Sequence, residues 1–447
     1  MKNYKKNINV DNLLIIIFKN LPLISFLTTF TICLVALYIS SIFDIQDYSS
    51  KLGFSTNSFD YNSFSDGLFY KESLQYYSNW NFIKNIGNTF VAGPVVPFIL
   101  YKLSFENLYI LFLLFSLLIS TSSFTWMKII VNSFESNSLK ILLASIIIFN
   151  PYNYYFVLKP GSEIPFQFFY ALFCFTLLSC FKYYKLIAVD KLKKIFNLKV
   201  SLYFCFFVLL ILILTRPTSL TIGFLASFLI ILLLIFKPSS INYFKNDLVI
   251  LNSVLIAIFI YGSFLYYEYG NLLLNWVNNK SDAIKYFGIS NNITYFGIPE
   301  TIIKLNIDSL PFLIRLPIYF FWKITSWILG TCGIRDSFSI ISRVDDFSND
   351  SRIWQVIMRV SYGLFIYLPI LTGNLIILLT KLSQFFKSLK ISSNNLSFLV
   401  LSFISISIIS PNIFFFHNER YLFMVFPPLV VSFFYFFKNR YFLLEKN

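Results

Sequence analysis

The sequence predicts an all-α, polytopic membrane protein, from its composition, the length of its apolar runs and its charge placement. The 447 residues are 57% hydrophobic and only 13% charged, whereas soluble chains carry about a quarter charged residues. The apolar residues gather in runs of about 18 to 25, the length that crosses a bilayer as a helix. Mean hydropathy is +0.69. A water-surrounded Rossmann fold, barrel or sandwich is thereby excluded as the main body. Lys+Arg 36 against Asp+Glu 21 leaves a net charge of +15. In a membrane chain such an excess marks positive-inside loops and phospholipid contact, so nucleic acid is not an expected partner.

The apolar runs read, in order, as spans at 21–43, 107–127, 139–158, 164–181, 200–215, 218–236, 247–267, 356–380, 396–410 and 421–437, about ten at the usual ~20 residues. The first follows Met1-Lys2-Asn3-Tyr4-Lys5-Lys6, and no small-residue cleavage site follows it. It is expected to be a retained span rather than a cleaved signal. Two further stretches are interrupted: 86–103 by Gly87, Gly93, Pro94 and Pro97, and 311–330 by Arg315, Pro317 and Lys323.

Basic residues decide how these two are read. Segment 182–199 carries Lys182, Lys185, Lys191, Lys193, Lys194 and Lys199 against Asp190 alone, so it is expected in the cytoplasm. The same holds for the N-terminus, for 381–394 and for Lys438, Arg440 and Lys446 near the C-terminus. All four share one side only if 86–103 and 311–330 lie against the membrane as interfacial helices. The whole of 1–447 then forms a single integral membrane domain, with both termini cytoplasmic. Two large outer loops result, 44–106 and 268–355, and short outer turns fall at 159–163, 216–217 and 411–420. Tyr152, Tyr154, Tyr155, Tyr266 and Tyr267 fall at span ends, where an aromatic belt is expected. No repeat of fixed period is visible, which argues against a transporter made of two similar halves.

Five cysteines and one histidine limit the chemistry. Cys33, Cys174, Cys180 and Cys205 lie inside apolar runs and Cys332 stands in a polar stretch, with no CxxC spacing. A disulfide framework or zinc site is not expected.

Ionisable residues at outer span ends are the candidates, because charge at membrane depth costs ~2.5–3.5 kcal/mol even on the mildest scale. Asp66 lies in Ser65-Asp66-Gly67-Leu68-Phe69-Tyr70, with Tyr70 one helical turn on and Tyr76 and Tyr77 beyond. A carboxylate among aromatic rings at the membrane surface suits a base acting on a sugar hydroxyl; the plainer alternative is a helix N-cap. Asp44, Asp47 and Asp60 compete with it in the same loop. Glu163, in Lys159-Pro160-Gly161-Ser162-Glu163, opens a helix and suits its macrodipole. It either caps the span or binds a metal or substrate hydroxyls. Arg216, in Thr215-Arg216-Pro217-Thr218, either holds a phosphate or snorkels to the headgroups. His417-Asn418-Glu419-Arg420-Tyr421 puts the only histidine and an acid–base pair just before the last span. There Arg420 offers a planar, permanently charged fork to phosphate oxygens. The mixed charges of 335–352 read as a solvated loop that could grip a polar acceptor.

Taken together and in order, these motifs resemble the GT-C membrane glycosyltransferases. The likeness is to bacterial relatives of the protein mannosyltransferases and of the lipid A aminoarabinose transferase, and it extends over about 21–437. It rests on an Asp before a Tyr in the first outer loop, Asn-Pro and then Ser-Glu opening span four, Arg-Pro after span five, and Glu-Arg-Tyr before the last span. The resemblance implies an enzyme of the bacterial inner membrane that builds cell-envelope glycan. It would take a sugar from a polyprenyl-phosphate carrier and transfer it, with inversion, to a lipid, glycan or protein acceptor outside. Asp66 would be the catalytic base. Arg420 and Lys159 would neutralise the departing phosphate. Glu163 and Glu419 would bind sugar hydroxyls or a divalent cation, the one cofactor the likeness leaves room for. Tyr70, Arg216 and His417 complete the expected binding set. Where many relatives have two adjacent acids at the first site, Ser65 precedes Asp66 here.

Two other readings compete. A polysaccharide polymerase or ligase with a pyrophosphate-linked donor would use a large outer loop rich in arginine, and 268–355 holds Arg315, Arg335, Arg343 and Arg352. A lipid or glycan transporter would show charges or breaks in mid-span, and the spans are nearly uncharged.

Overall fold

The computed structural model describes residues 10–42, 95–105, 107–157, 161–186, 191–216, 219–236, 244–269, 311–334, 357, 359–388, 393–410 and 419–444. Every regular element among them is a helix. The order is α1 (Val10–Ile42), α2 (Val95–Leu103), α3 (Leu108–Ser133), α4 (Asn137–Ile148), α5 (Pro151–Val157), α6 (Glu163–Leu186), α7 (Lys191–Thr215), α8 (Leu220–Phe236) and α9 (Lys245–Tyr269). There follow α10 (Phe312–Thr331), a π-helical turn (Gly363–Tyr367) that runs into α11 (Leu368–Ser388), α12 (Ser393–Ile409) and α13 (Glu419–Leu444).

Five stretches among the described residues are long and apolar enough to cross a bilayer: Phe18–Tyr38, Tyr109–Ser133, Glu163–Lys182, Phe196–Thr215 and Arg359–Lys381. Shorter apolar helical stretches occupy Thr221–Ile231, Leu396–Ile409 and Leu422–Lys438. Large apolar side chains also face outward along the bundle, among them Leu27 on α1, Phe207 on α7, Phe228 on α8 and Ile260 on α9. In water such surfaces would associate. Against lipid tails they are matched, and the chain is built as an integral membrane protein.

The core lies around α13. Leu422, Phe423, Met424, Val425 and Phe426 are buried in succession, and Leu429, Val430 and Val431 continue the run. A helix apolar on all sides belongs inside the bundle rather than on its rim. α13 packs on α12, α11, α6 and α10. α6 packs in turn on α7, α3 and α12. The α1–α3 contact is built on small polar side chains. Thr29 Oγ1 donates to Ser123 Oγ at 3.3 Å, beside buried Ser25, Cys33 and Ser116. Small residues let two backbones approach where lipid gives no hydrophobic drive.

Residues 139–158 do not form the single span expected from the sequence. The chain breaks between α4 and α5 at Phe149-Asn150, because Pro151 has no N–H to continue the ladder. In an apolar setting the carbonyls so freed need other donors. Asn153 Nδ2 donates to Ile147 O at 2.8 Å, Tyr154 OH donates to Ile148 O, and Tyr362 OH donates to Ile146 O at 3.2 Å. Asn150 Oδ1 accepts from Tyr152 N–H at 3.1 Å and starts the second piece. Tyr152 is not a belt residue either. It is buried, stacked on Tyr367 with ring centroids 5.5 Å apart. The side chains of Tyr155, Tyr266 and Tyr267 lie outside the described set.

The stretch 311–330 forms one helix after Pro311, α10 (Phe312–Thr331), and the described part of 86–103 is α2. α10 ends against the π-helical turn. Cys332, read from sequence as part of a polar stretch, is fully buried there, and burial pushes its thiol pKa up. Gly363 faces it: a methyl group on Gly363 would overlap the Cys332 carbonyl oxygen. Backbone cannot yield as a side chain can. Gly363→Ala is therefore expected to destabilise the protein by about 1–3 kcal/mol, the usual range for overpacking. Gly223→Ala, which would meet only side chains, the Phe259 ring at 2.9 Å and Ile213 Cδ1 at 3.3 Å, should do less. Thermal unfolding of both variants in detergent measures the difference; equal melting points would contradict this packing.

Candidate functional site

The described residues bring two of the sequence candidates together. Glu163 is the first residue of α6, and Ser162 before it accepts the first helical bond, from Phe166 N–H at 2.9 Å. Arg216 directly follows α7, and its N–H donates to Leu212 O at 3.1 Å. α6 and α7 are consecutive, closely packed antiparallel helices. The start of one therefore lies beside the end of the other. Arg216 Nη1 donates to Glu163 Oε1 at 2.9 Å and to Ser162 Oγ at 2.8 Å.

The electrostatics agree with the placement. A helix N-terminus favours an anion and a C-terminus a cation, and each charge here occupies its favourable end. Both residues are buried, with side-chain exposures of 10% for Arg216 and 9% for Glu163. Snorkelling is thus overturned for Arg216: its charge is held inside by a carboxylate instead of being carried out to headgroups. Glu163 opens its helix, and its carboxylate is held by an ion pair that sequence spacing could not reveal.

Two buried polar atoms lie close along the chain to this pair. Gln167, one turn after Glu163 on the same face of α6, is 3% exposed, and no donor among the described residues reaches its Oε1. Ser219 follows in the turn after Arg216, its N–H donating to Arg216 O at 3.0 Å, and its buried Oγ has no partner among the described residues. Neither residue was singled out in the sequence. Gln167 sits in an apolar run, and a polar residue at that register was the only signal.

The other candidates do not enter this geometry. Asp66, Tyr70, Lys159 and His417 lie outside the described residues. Glu419 and Arg420 open α13, but their side chains are outside the described set. All of 335–352 is likewise outside it. Among the described residues no cluster of three His, Cys, Asp or Glu side chains could hold a metal ion.

A second polar group ties the bundle farther in. Asn374 Nδ2 donates to Leu429 O at 2.9 Å, and Ser402 Oγ donates to Asn374 Oδ1 at 2.8 Å, joining α11, α12 and α13. In the first half of α7, Lys199 Nζ lies 2.9 Å from Asp247 Oδ2, and Tyr203 OH donates to Asp247 Oδ1 at 2.7 Å. No protein-family model, curated protein or solved structure matches the chain.

Removing one partner of a buried ion pair strands the other charge. Arg216→Ala is expected to destabilise by ~3–5 kcal/mol. The double variant Arg216→Ala with Glu163→Ala should recover part of that loss, since no charge is then left unmatched. A double-mutant cycle on melting temperature tests this; strict additivity of the two single variants would mean the pair is not coupled.

Proposed function

We propose that the protein is a GT-C type membrane glycosyltransferase, moving a sugar from a polyprenyl-phosphate carrier to an acceptor on the extracytoplasmic side with inversion. The observation that carries this reading is the buried Ser162–Glu163–Arg216 cluster at one end of α6 and α7. A structural bundle rarely places such charge at membrane depth without use. The motif order from Asp66 to Arg420 supplies the reaction class.

The proposed topology has about ten spans of ~20 residues, with α2 and α10 interfacial and both termini cytoplasmic. α6 has 24 residues, or about 36 Å at ~1.5 Å per residue, enough to separate its two ends across a bilayer. Lys182 near the end of α6 and Lys199 near the start of α7 mark the cytoplasmic side. The Glu163–Arg216 end then faces outward, on the same side as the loop that holds Asp66.

The proposed chemistry is a single displacement. An acceptor hydroxyl attacks the anomeric carbon, and its proton passes to the Asp66 carboxylate. The new O–C bond forms as the C–O bond to phosphate breaks, and polyprenyl phosphate departs with the electron pair. Lys159 and Arg420 balance the charge that develops on it. Glu163 cancels the charge of Arg216, so that cluster is better suited to orienting the sugar than to neutralising phosphate.

Asp66→Asn is expected to lower transfer by about 10²- to 10⁴-fold, the range for losing a general base, at unchanged membrane levels. In a strain lacking the gene, a polyprenyl monophosphate bearing a single sugar should accumulate. It should clear on return of the wild-type chain and persist with Asp66→Asn, as read by mass spectrometry of lipid extracts. Accumulation of a pyrophosphate-linked oligosaccharide would sink the reading in favour of a polymerase or ligase. No change in either lipid would favour a transporter.

A further inference from the structure

We infer that the end of the α6–α7 hairpin opposite the Glu163–Arg216 pair is a docking surface for an anionic phospholipid, built by Lys182, Lys185, Lys191, Lys193 and Lys194. The inference stands apart from the glycosyltransferase reading and concerns the other end of the same two helices.

Three observations carry it. First, the lysines lie at headgroup depth. The apolar stretch of α6 closes at Lys182, and that of α7 opens at Phe196. None of the five stands more than five residues beyond those limits, or ~8 Å at ~1.5 Å per residue. α6 continues to Leu186 and α7 starts at Lys191, so both helices carry lysines into one layer. Packed helices lie ~8–10 Å apart, a gap that a single headgroup phosphate can span with a lysine from each side.

Second, the charge at this end is not balanced by nearby sequence. Segment 182–199 holds six lysines and one acid, Asp190. Lys199 has its own partner: its Nζ lies 2.9 Å from Asp247 Oδ2, while Tyr203 OH donates to Asp247 Oδ1. Both oxygens of Asp247 are therefore engaged. The five remaining lysines stand against Asp190 alone in this segment. The backbone adds to the excess. Lys191, Lys193 and Lys194 fall in the first turn of α7, which has no acidic residue, and a helix start favours anions over cations.

Third, the face of α7 that continues from these lysines suits an acyl chain. Phe196, Val200, Phe204 and Phe207 are all exposed and recur three or four residues apart, which places them on one face of the helix. Lys193 stands at the same register, three residues before Phe196. A cation followed by an apolar strip matches a lipid, headgroup first and chain beneath it. A free phosphate would use only the lysines. A lipid bound here holds together the ends of α6 and α7 that the Glu163–Arg216 pair does not reach.

The test uses the full-length chain in neutral detergent, with phosphatidylglycerol, phosphatidylcholine and inorganic phosphate as probes. Native mass spectrometry reads bound lipid, and thermal unfolding reads its effect. Wild type should retain phosphatidylglycerol at least about tenfold better than phosphatidylcholine, since each lysine near an anionic headgroup contributes about fivefold. Phosphatidylglycerol should also raise the melting temperature, as a ligand of the folded state does, and the other two probes should not. Replacing Lys191, Lys193 and Lys194 together by Gln should bring the preference to within about threefold of none. Replacing the same three by Arg should keep it. Without added lipid the Gln variant should melt no lower than wild type, because it relieves a helix start crowded with cations; lysines with a purely structural role would show a fall. A Gln variant that keeps the preference or melts lower without lipid overturns the surface. So does an Arg variant that loses the preference, or a wild type that treats the two lipids alike. Equal stabilisation by inorganic phosphate overturns the lipid as its occupant.

Discussion

A permanent positive charge cannot rest inside an apolar bundle without a counter-charge, and the position of Arg216 makes Glu163 necessary. The pair sets the height of α7 against α6, because the end of one helix must meet the start of the other. Both macrodipoles add to the match. α7 is also held in its first half, where Lys199 and Tyr203 grip Asp247 at the start of α9. Held at these two places, α7 presents Leu209 and Leu212 to the core. α6, aligned by the same pair, carries contacts onward to α3, α12 and α13.

The same shortage of water governs the interrupted helix α4–α5. Pro151 takes away the donor that Ile147 O would have had, and Asn153 supplies another. Ile146 O is served from a distant part of the chain, by Tyr362, which precedes the π-helical turn. That turn places Tyr367 where Asn150 Nδ2 can donate to its hydroxyl at 3.4 Å. Tyr152 then packs between the rings of Tyr367 and Phe156. A break in one helix and an extra residue in another thus complement each other. Neither would be stable alone in a medium that offers the backbone no hydrogen bonds.

Much of this was legible in the sequence as a pattern of apolar runs, since helix burial in lipid depends on composition and length. The runs near 107–127, 164–181 and 200–215 correspond to α3, α6 and α7. What composition could not supply was partners. Arg216 read first as a headgroup contact and second as a phosphate ligand, because Glu163 lies 53 residues earlier. The run 139–158 is apolar enough to read as one span and concealed its break, although Asn150-Pro151 is a recognised turn signal. Cys332 looked polar by its neighbours, yet the close approach allowed by Gly363 buries it. Asp66, Lys159 and His417 lie outside the described residues, so the sequence alone speaks for them.

The neutrality of the Glu163–Arg216 pair bears on how labour would be divided in the proposed reaction. If Arg216 were an isolated cation it would attract the carrier phosphate, and the bundle end would bind bare lipid phosphate and product as firmly as donor. Binding ground state and product equally gives no rate advantage. Cancelling that charge with a carboxylate removes the indiscriminate attraction and leaves directional hydrogen bonds, which respond to the arrangement of hydroxyls. In the proposed reaction, net compensation for the phosphate then falls to Lys159 and Arg420 rather than to Arg216, whose charge Glu163 already balances.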